Sequence, residues 1–482
     1  MQYYLGIDIG TTATKTVAFS PAGETLAIES ISYPLNHPQP GWSEQDPTEI
    51  LQAVVNGINK VISALSPAEP SLVSFSSVMH SLLAVDKDGK PLTGSITWAD
   101  NRAEQIAKDL KANEEGKKFY QLTGVPVHAM SPFCKLLWLR NHRKEIYLQA
   151  HKFIGIKEFV FYSLFGEYII DTSIASATGL LNLSSLQWDA DILNYLEIDA
   201  GRLSSIVSAK HIFYYKSIDN RLLLSPQMPV IVGASDGACA NLGSGAIDSN
   251  ILAISIGTSS AARLIVRRPL FDDLMRIFCY HVKDDQYIAG GGSNSGGIVF
   301  QWLKDNILDS GEEYDELVEQ ADNVNAGSDG LIFLPYILGE RAPLWNGSAK
   351  GVFYGLTIQH TKAHLVRSVL EGLIFNLYTI SQVLTESNKV DLISASGGLT
   401  SNDLVLQIIA DVFNSKVVIK STPETSALGA VIIGMDAIGL KEKLPVHTIK
   451  EVLPSNEKHL IYSRSYQKFA RLYNILKDEM ND

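Results

Sequence analysis

Cysteine is scarce in this chain of 482 residues, and the three cysteines, Cys134, Cys239 and Cys279, lie far apart. No pair has the spacing Cys-x-x-Cys, so neither a structural zinc site nor a disulfide framework is predicted. Widely separated single thiols are typical of proteins in a reducing compartment. We therefore expect all three cysteines to be buried and free.

Two common catalytic motifs are also absent. The sequence contains no Gly-x-x-x-x-Gly-Lys-Ser/Thr loop, so a phosphate site of the P-loop type is excluded. It contains no His-Glu-x-x-His and no spaced cluster of histidine and cysteine, so catalytic zinc is not predicted. Any phosphate must be bound by another kind of turn.

Long apolar runs and an excess of basic residues are lacking as well. No run of about 18 apolar residues predicts a membrane span, and no basic segment precedes an apolar one at the N-terminus, so no signal peptide is predicted. The net charge of −12 argues against a general nucleic-acid surface. These absences predict a cytoplasmic protein without a membrane or nucleic-acid partner, in which local positive groups attract any anionic substrate.

The features that are present begin with the first dozen residues, an apolar strand followed by a turn of small residues and a second strand. Gly10 has no side chain to keep a ligand away from the backbone. The hydroxyls of Thr11 and Thr12 and the charge of Lys15 make a turn that can bind phosphate. Asp8, which interrupts the apolar strand, would hold Mg²⁺ through oxygen or water. Taken alone, this stretch could equally be an ordinary hairpin.

The same pattern returns near the middle of the chain. Residues 250–257 are apolar and end in glycine, and Thr258 and Ser259 follow as in the first turn. The length favours two domains, and two such turns, each opening about half of the chain, predict a duplicated core. The predicted domains are residues 1–243 and 244–482, in an α/β fold whose first sheet begins with antiparallel strands.

Asp236 follows another apolar strand, residues 229–235, near the predicted domain boundary. A carboxylate there can accept a proton from a hydroxyl group as that group attacks phosphorus. Alone, Asp236 would be an ordinary Asp-Gly turn residue, but two phosphate turns make the catalytic interpretation the better one. Gly398 and Asn402 also follow a strand, where a nucleotide could lie against the backbone. A tight entry into the next helix would explain them equally well.

Polar and aromatic residues cluster after two other short strands. Met79, His80, Trp98 and Arg102 form a predicted polyol pocket, in which imidazole and guanidinium donate to oxygens and the indole packs on the carbon chain. Arg102 is the residue best suited to a carboxylate, by bidentate pairing. The alternatives are a structural histidine, a core tryptophan and a surface salt bridge.

Together these features resemble the FGGY family of carbohydrate kinases. The resemblance rests on Asp8-Ile9-Gly10-Thr11-Thr12, on Gly397-Gly398 with Asn402, and on two longer stretches, residues 130–139 and 351–371. It covers the chain from residue 3 to about residue 440. Residues 75–81, 96–102 and 155–158 look most like the bacterial members that phosphorylate gluconate. Members that phosphorylate xylulose are similar, but they usually have Gln-Met-His-Gly where this chain has Val78-Met79-His80-Ser81.

The resemblance implies two duplicated actin-like (ribonuclease H-like) ATPase domains with an interdomain cleft, with ATP and Mg²⁺ as cofactors. The implied activity is ATP-dependent phosphorylation of D-gluconate to 6-phospho-D-gluconate. Xylulose, or another pentose or polyol, is the alternative substrate. The implied partners are a small sugar or sugar acid and a second copy of the chain in a homodimer.

The resemblance also implies roles for individual residues. Asp236 would be the catalytic base, and Asp8 and Asp236 would hold Mg²⁺. The sugar would be bound by Met79, His80, Trp98, Arg102 and Asp236. The residues that would bind ATP are Thr11, Thr12, Lys15, Thr258, Gly297, Gln301, Gly398 and Asn402.

A protein of another class shares part of this pattern. An actin-like nucleotide-binding module, acting as a filament or chaperone without a small-molecule substrate, would need the phosphate turns. It would not need His80, Trp98 and Arg102, or Asp236 in its glycine-flanked turn. ATPase activity that no polyol stimulates would favour this alternative.

Overall fold

The computed structural model of the chain describes residues 2–215, 221–386, 388–421, 424–440, 444 and 447–480. The elements of the first part of the chain are, in order, β1 (Tyr3–Ile9), β2 (Ala13–Phe19), β3 (Thr25–Ser32), β4 (Glu44–Gln45), α1 (Pro47–Leu65), β5 (Pro70–Ser77), β6 (Leu83–Val85), β7 (Ser95–Ile96), α2 (Glu104–Lys111), α3 (Glu114–Thr123), α4 (Pro132–His142), α5 (Lys144–Gln149), β8 (Lys152–Ile154), α6 (Ile156–Phe165), β9 (Ile169–Asp171), α7 (Thr172–Ser176), β10 (Leu181–Asn182), β11 (Gln187–Trp188), α8 (Ala190–Leu196), β12 (Ser205–Val207), β13 (Ile212–Tyr214), β14 (Pro229–Ser235) and α9 (Asp236–Gly243).

The second part begins with the strand of the second glycine turn. Its elements are β15 (Ile251–Ile256), β16 (Ser260–Val266), β17 (Phe278–Lys283), β18 (Gln286–Ser293), α10 (Gly297–Trp302), α11 (Tyr314–Asp322), β19 (Ile332–Leu334), β20 (Val352–Tyr354), α12 (Lys362–Thr385), β21 (Leu392–Ser396), α13 (Asp403–Phe413), β22 (Lys416–Lys420), α14 (Thr425–Ala437), β23 (Thr448–Val452) and α15 (Asn456–Leu476). Helix α10 continues into a π-helical turn over Leu303–Ile307.

Two sheets share one topology. The first has the strand order β3-β2-β1-β5-β14-β13, and the second has the order β17-β18-β16-β15-β21-β22-β23. In both, an antiparallel series (β3-β2-β1 and β18-β16-β15) is followed by two parallel strands and one antiparallel strand. The predicted α/β fold with a duplicated core is therefore confirmed, with β17 as an additional strand of the second copy.

Local sequence explains how the helices begin and which sides they bury. Helix α1 starts with Pro47 after Asp46, whose side chain accepts a hydrogen bond of 2.7 Å from the Thr48 amide. A proline at the first helical position costs no hydrogen bond, because that amide has no partner within the helix. The apolar side chains at helical spacing on α1, among them Ile50 and Val54, are buried against the first sheet.

Residues 101–230 contain more strands than the sequence suggests. The sequence predicts mostly helices and loops there, yet the short strand pairs β9–β12 and β10–β11 lie within this region. Strands of two or three residues leave too little alternation in the sequence to be recognised.

The two parts of the chain are connected through α14, which packs against β1, β5 and α9. A Cβ atom at Gly429 would overlap the backbone of Cys239, and one at Gly243 would overlap the carbonyl of Thr425. Glycine therefore allows α9 and α14 to cross at backbone distance. The predicted boundary at residue 243 stays a prediction, since this helix from the second part completes the packing of the first.

Two sequence-based expectations about the whole chain can be compared with the fold. All three cysteines are free and buried, as predicted. Within the described ranges, none of the helices is both long enough and apolar enough to cross a bilayer.

Candidate active site

The first glycine turn joins β1 to β2 and touches the predicted sugar pocket. The Gly10 amide donates to the carbonyl of Ala13 over 3.0 Å, and the Tyr33 hydroxyl donates to the Gly10 carbonyl over 2.7 Å. Thr11 Oγ1 accepts a hydrogen bond of 2.9 Å from the indole of Trp98, while Thr12 is exposed at the tip of the turn. The fold thus brings the predicted phosphate-binding turn into contact with Trp98 of the predicted sugar pocket.

Acidic side chains are concentrated behind this turn. Asp8 and Lys15 are paired across the β1–β2 ladder, which places both on one face of the sheet. Ser76 Oγ donates to the Asp8 carboxylate over 2.8 Å. Burial and the neighbouring charge of Asp236 raise the pKa of Asp8 to about 7. Lys15 forms an ion pair of 2.9 Å with Glu424, an acid that sequence reasoning missed.

The carboxylates near the first turn differ from a preformed metal cluster. The described residues contain no cluster of three or more His, Cys, Asp or Glu side chains that could hold a metal ion. Asp8 and Asp236 nevertheless lie close enough for their charges to repel each other. Two carboxylates fit Mg²⁺, because this ion keeps several waters and takes one or two protein oxygens beside substrate phosphates.

Asp236 is the first residue of α9, directly after β14. Ser235 caps the helix by accepting from the Ala238 amide over 3.4 Å, and the Gly237 amide donates to Asp236 Oδ1 over 2.6 Å. Burial raises the pKa of the Asp236 carboxyl, and the guanidinium of Arg263 acts in the opposite direction. The side chain is only partly buried, so a substrate hydroxyl can reach it.

The second glycine turn is supported by two other glycine segments. The Gly297 amide donates to the Gly257 carbonyl over 2.7 Å, and the Ile298 amide donates to the Thr258 carbonyl over 3.1 Å. Gly397 has a φ of 99°, and a Cβ atom there would overlap the backbone of Ile256. The predicted nucleotide residues Thr258, Gly297 and Gly398 therefore lie around one turn, with Gly398 exposed.

The side chains of the other two predicted nucleotide residues differ in their surroundings. Gln301 is exposed on α10. Asn402 caps α13, since its Oδ1 accepts a hydrogen bond of 2.9 Å from the Leu404 amide. The alternative interpretation of Asn402, as a residue at a tight entry into a helix, therefore describes its side chain in this structure.

His80 is buried at the predicted sugar pocket, with its backbone in the left-handed region at φ 67°. Its Nδ1 lies 2.9 Å from the carbonyl oxygen of Ala177. A carbonyl can only accept, so Nδ1 carries the proton and Nε2 is left as an acceptor. Burial lowers the pKa of His80 to about 3, so the ring is neutral. His80 can therefore accept a hydrogen bond from a hydroxyl group of a ligand.

Arg102 does not offer its guanidinium to the cleft, contrary to the expectation that it receives a carboxylate. Its side chain is 3% exposed and donates to Asp100 over 2.8 Å and to Glu44 over 2.6 Å. The guanidinium also stacks 3.7 Å above the ring of Trp42. The charge of Arg102 is therefore already paired, and one face of its guanidinium is covered. In this structure Arg102 supports the segment that carries Trp98.

A cavity of about 1220 Å³ lies between the two parts of the chain. Its lining includes Trp98, Lys111 and His128 from the first part and Asn294, Arg341 and Trp345 from the second. The guanidinium of Arg341 lies 4.8 Å from the centre of the Trp98 ring and Lys111 Nζ donates to the Trp345 carbonyl over 3.1 Å. The predicted interdomain cleft is therefore present, and both cationic side chains and the carboxylates of Glu104 and Glu340 line it.

Three basic residues of this region were missed from the sequence. Arg341 lines the cleft, buried Arg263 lies near Asp236, and buried Lys135 joins the segments that carry His80 and Trp98. Arg263 had a usable signal, because it interrupts an apolar strand as Asp8 does. Lys135 lies within residues 130–139, a stretch that the sequence did single out. Nothing local distinguishes Arg341.

The comparisons with known proteins agree with this geometry. Residues 3–243 match the N-terminal domain and residues 252–438 the C-terminal domain of the FGGY family of carbohydrate kinases. A gluconokinase of Bacillus subtilis is 43% identical, over 98% of this chain and 94% of the relative. A xylulose kinase of Staphylococcus xylosus is 30% identical, over 90% of both chains.

Solved structures give the same result. The crystal structure of gluconate kinase from Lactobacillus acidophilus has a TM-score of 0.95 and 37% identity, covering 98% of both chains. The structure of ligand-bound xylulose kinase from Lactobacillus acidophilus has the same TM-score and identity, covering 99% of both chains. The protein is a two-domain carbohydrate kinase with the predicted actin-like fold. It belongs to the FGGY family, and membership of a kinase family implies the use of ATP.

Proposed function

We propose that the protein phosphorylates D-gluconate at the expense of ATP, giving 6-phospho-D-gluconate. The observation that carries the proposal is the position of Asp236, at the start of α9, where its charge interacts with Asp8 on the strand before the first glycine turn and with Arg263 on the strand after the second. The similarity to a gluconokinase at 43% identity over 98% of the chain supports the choice of substrate. A substrate with a carboxylate suits a site that has Arg263 near Asp236 and Arg341 in the cleft.

Asp236 would accept the proton of the attacking hydroxyl group. Its position at the start of α9, with Oδ1 held by the Gly237 amide, fixes the carboxylate at the cleft. Burial raises its pKa, and a base with a raised pKa holds an accepted proton more readily. Met79, His80 and Trp98 would surround the sugar, with the neutral His80 ring accepting from a hydroxyl group.

The two turns would hold the phosphates of ATP from opposite sides. Thr11, Thr12 and Lys15 contribute hydroxyls and a charge from the first part, and Thr258 contributes from the second. Gly297, Gln301, Gly398 and Asn402 would border the rest of the nucleotide, with the exposed Gly398 leaving room for close approach. Closure of the cleft around both substrates would exclude water from the phosphoryl group.

Asp8 and Asp236 would hold Mg²⁺, whose charge neutralises that of the phosphates. Ser76 orients the Asp8 carboxylate through its hydrogen bond of 2.8 Å. The Asp8→Asn variant tests this assignment. It should raise the Mg²⁺ concentration needed for half-maximal activity by at least about tenfold; an unchanged requirement would remove Asp8 from the metal site.

A coupled assay of ADP release tests the function over gluconate, xylulose, glycerol, ribulose and fuculose. We expect gluconate to give the highest kcat/KM. Turnover of xylulose without turnover of gluconate would favour the xylulose alternative, which the Staphylococcus xylosus relative supports. ATP hydrolysis that none of the five stimulates would favour the non-catalytic actin-like module.

The cellular compartment and the oligomeric state of the enzyme are part of the same proposal. Three buried free thiols are consistent with a cytoplasmic protein, where thiols stay reduced. The homodimer expected from the family resemblance stays a prediction, which sedimentation equilibrium at several protein concentrations would test.

A further inference from the structure

Arg263 lies on β16 and reaches α9 of the first part of the chain. A Cβ atom built on Gly237 would be 3.3 Å from Arg263 Nε and 3.4 Å from Met79 Cε. Arg263 therefore borders the residue after the proposed base, and Met79 of the proposed sugar pocket lies at that same residue. Because this contact crosses the two parts of the chain, it forms only when they are assembled.

The hydrogen bonding of Arg263 is incomplete. Its Nη1 donates to Ser255 Oγ over 3.2 Å, while its Nε is buried and has no partner in the part of the chain that the structure describes. A buried guanidinium is costly unless its donors and its charge are matched. The carboxylate of Asp236 is near enough to favour the charge, but it leaves Nε without an acceptor.

The strands around Arg263 bring a second guanidinium close to it. Arg263 is paired with Gly290, and Ala261 with Gly292, so these four residues share one face of β16 and β18. A Cβ atom at Gly290 would lie 3.1 Å from Arg263 Cγ, and one at Gly292 would lie 3.0 Å from Arg341 Nη1, so the two arginine side chains lie over the two glycines. The charges of Arg263 and Arg341 act against each other, so an anion at Arg263 Nε would be favoured by both.

We propose that Arg263 is the specificity-determining residue that binds the carboxylate of the sugar acid and so selects it over neutral sugars. This inference rests on the proposed function. An acyclic acid would place its terminal hydroxyl at Asp236 and its carboxylate at Arg263, in place of the role first given to Arg102. The carboxylate supplies the missing acceptor and a matching charge.

The depth of Arg263 favours the sugar acid over the phosphates of ATP. Arg263 lies three residues beyond Ser260, which ends the second phosphate turn, and three residues of a strand span about 10 Å. Apart from its hydrogen bond to Ser255, its guanidinium lies beside Gly237, and Met79 of the proposed sugar pocket lies at the same glycine. An anion bound there would be part of the acceptor substrate.

Calorimetric titration of gluconate and of two neutral probes, D-glucitol and D-xylulose, tests the proposal. D-Glucitol is gluconate with the carboxylate replaced by CH₂OH. The Arg263→Met variant should bind gluconate about 10- to 150-fold more weakly, since hydrogen bonds to a charged group are lost. Its affinity for neutral probes should stay within about threefold, since the side chain keeps its length. Arg263→Lys should recover part of the gluconate affinity, because the charge remains.

Arg367→Met is the matched control for the loss of a buried arginine. Arg367 on α12 is 3% exposed at its side chain and pairs with Glu371 and Tyr462, away from the cleft. It should leave the dissociation constants of the folded protein unchanged. Melting curves of all variants show whether each is folded at the temperature of titration.

The other outcomes separate the possible errors. Equal weakening of gluconate and neutral probes would overturn the proposal, because Arg263 would then only shape the pocket. An unchanged gluconate affinity with a reduced kcat would also overturn it and assign Arg263 to the phosphoryl group. A wild-type enzyme that phosphorylates neutral sugars but not gluconate would contradict the proposed function itself.

Discussion

At the scale of single residues, the site depends on charges placed where water is partly excluded. Asp236 and Arg263 come from different parts of the chain, and each alters the pKa of the other in the direction that favours its charge. Burial acts against both charges. Substrate binding can therefore stabilise the charged forms of both the base and the cation, which burial disfavours.

The Asp236→Asn variant should lower kcat by about 10²- to 10⁴-fold, because an amide cannot accept the hydroxyl proton. At saturating Mg²⁺ the KM for ATP should change little, since the phosphate turns are intact. Both constants can be measured by coupled ADP release. Asp191→Asn is a suitable control, because Asp191 also lies in the first turn of a helix, α8, but pairs with Lys118 at the surface. A normal kcat for Asp236→Asn would remove Asp236 from the role of base.

The residues with chemical roles were predictable where a charge interrupts an apolar strand or follows one, as at Asp8 and Asp236. Arg102 shows the limit of such reasoning. Its ion pair with Glu44 and its stacking on Trp42 depend on residues about 60 positions earlier in the sequence. A local motif therefore indicated a ligand site where the fold has formed a buried network.

At the scale of elements, α4 holds in place the two segments that carry His80 and Trp98 of the proposed sugar pocket. Lys135 on this helix is fully buried, and its Nζ donates to the carbonyls of His80, Thr97 and Ile96 over 2.5, 2.8 and 3.3 Å. His80 and the residue before Trp98 are thus held by one ammonium group. Lys135 is a positioning residue, since it acts through its neighbours.

Lys135→Met should lower kcat/KM for the sugar by about 10²-fold, because a displacement of about 1 Å in a substrate-binding group has an effect of that order. The KM for ATP should remain near that of the wild type, which a general loss of structure would not allow. Lys152→Met is the matched control. Lys152 also donates to two carbonyls, those of Gly201 and Leu203, but these lie outside the proposed pocket. Equal losses in the two variants would contradict the positioning role.

A second prediction at this scale concerns Glu158 at the start of α6. Its carboxylate accepts from the Gly155 amide, and burial raises its pKa from 4.5 to about 7. Between these pH values the native state retains a proton that the unfolded state has lost, so stability falls as the pH rises and levels off above about 7.

Glu158→Gln removes that titration. The free energy of unfolding of the variant minus that of the wild type should increase between pH 4.5 and 7, by up to about 3 kcal/mol. Urea denaturation at a series of pH values measures it. Glu167→Gln, a change at an exposed position just after α6, serves as the control. A difference that does not vary with pH would show that Glu158 is not protonated in the native state.

The strongly periodic elements were predictable, and the crossing between the parts of the chain was not. The sequence predicts helices over residues 403–413 and 364–385; the first is α13, and the second begins two residues earlier as α12. Helix α14 is apolar on all sides except near its two ends, which shows burial but does not indicate a partner. The contact of α14 with α9 depends on glycines that are far apart in the sequence.

At the scale of the whole molecule, the crossing of α9 and α14 links the two parts directly beneath the site. The Gly429→Ala variant should lower the free energy of unfolding by about 1–3 kcal/mol, because the added methyl group meets the backbone of Cys239. It should also lower kcat, since α9 carries Asp236. Gly311→Ala is the control, because a Cβ atom there has no neighbour within 4 Å. Urea denaturation and ADP release measure both effects, and equal stability of the two variants would contradict close packing at the crossing.

The three buried thiols can report on how often the structure opens around them. Burial raises the pKa of Cys134 to about 11 and the pKa values of Cys239 and Cys279 to about 12, so each is protected from thiol reagents while its surroundings stay closed. Cys239 lies where α9 meets α14, whereas Cys134 lies on α4 within the first part. The labelling rate of Cys239 relative to Cys134 therefore measures how often the two parts separate, without any introduced probe, and ligands that hold the cleft shut will slow it selectively.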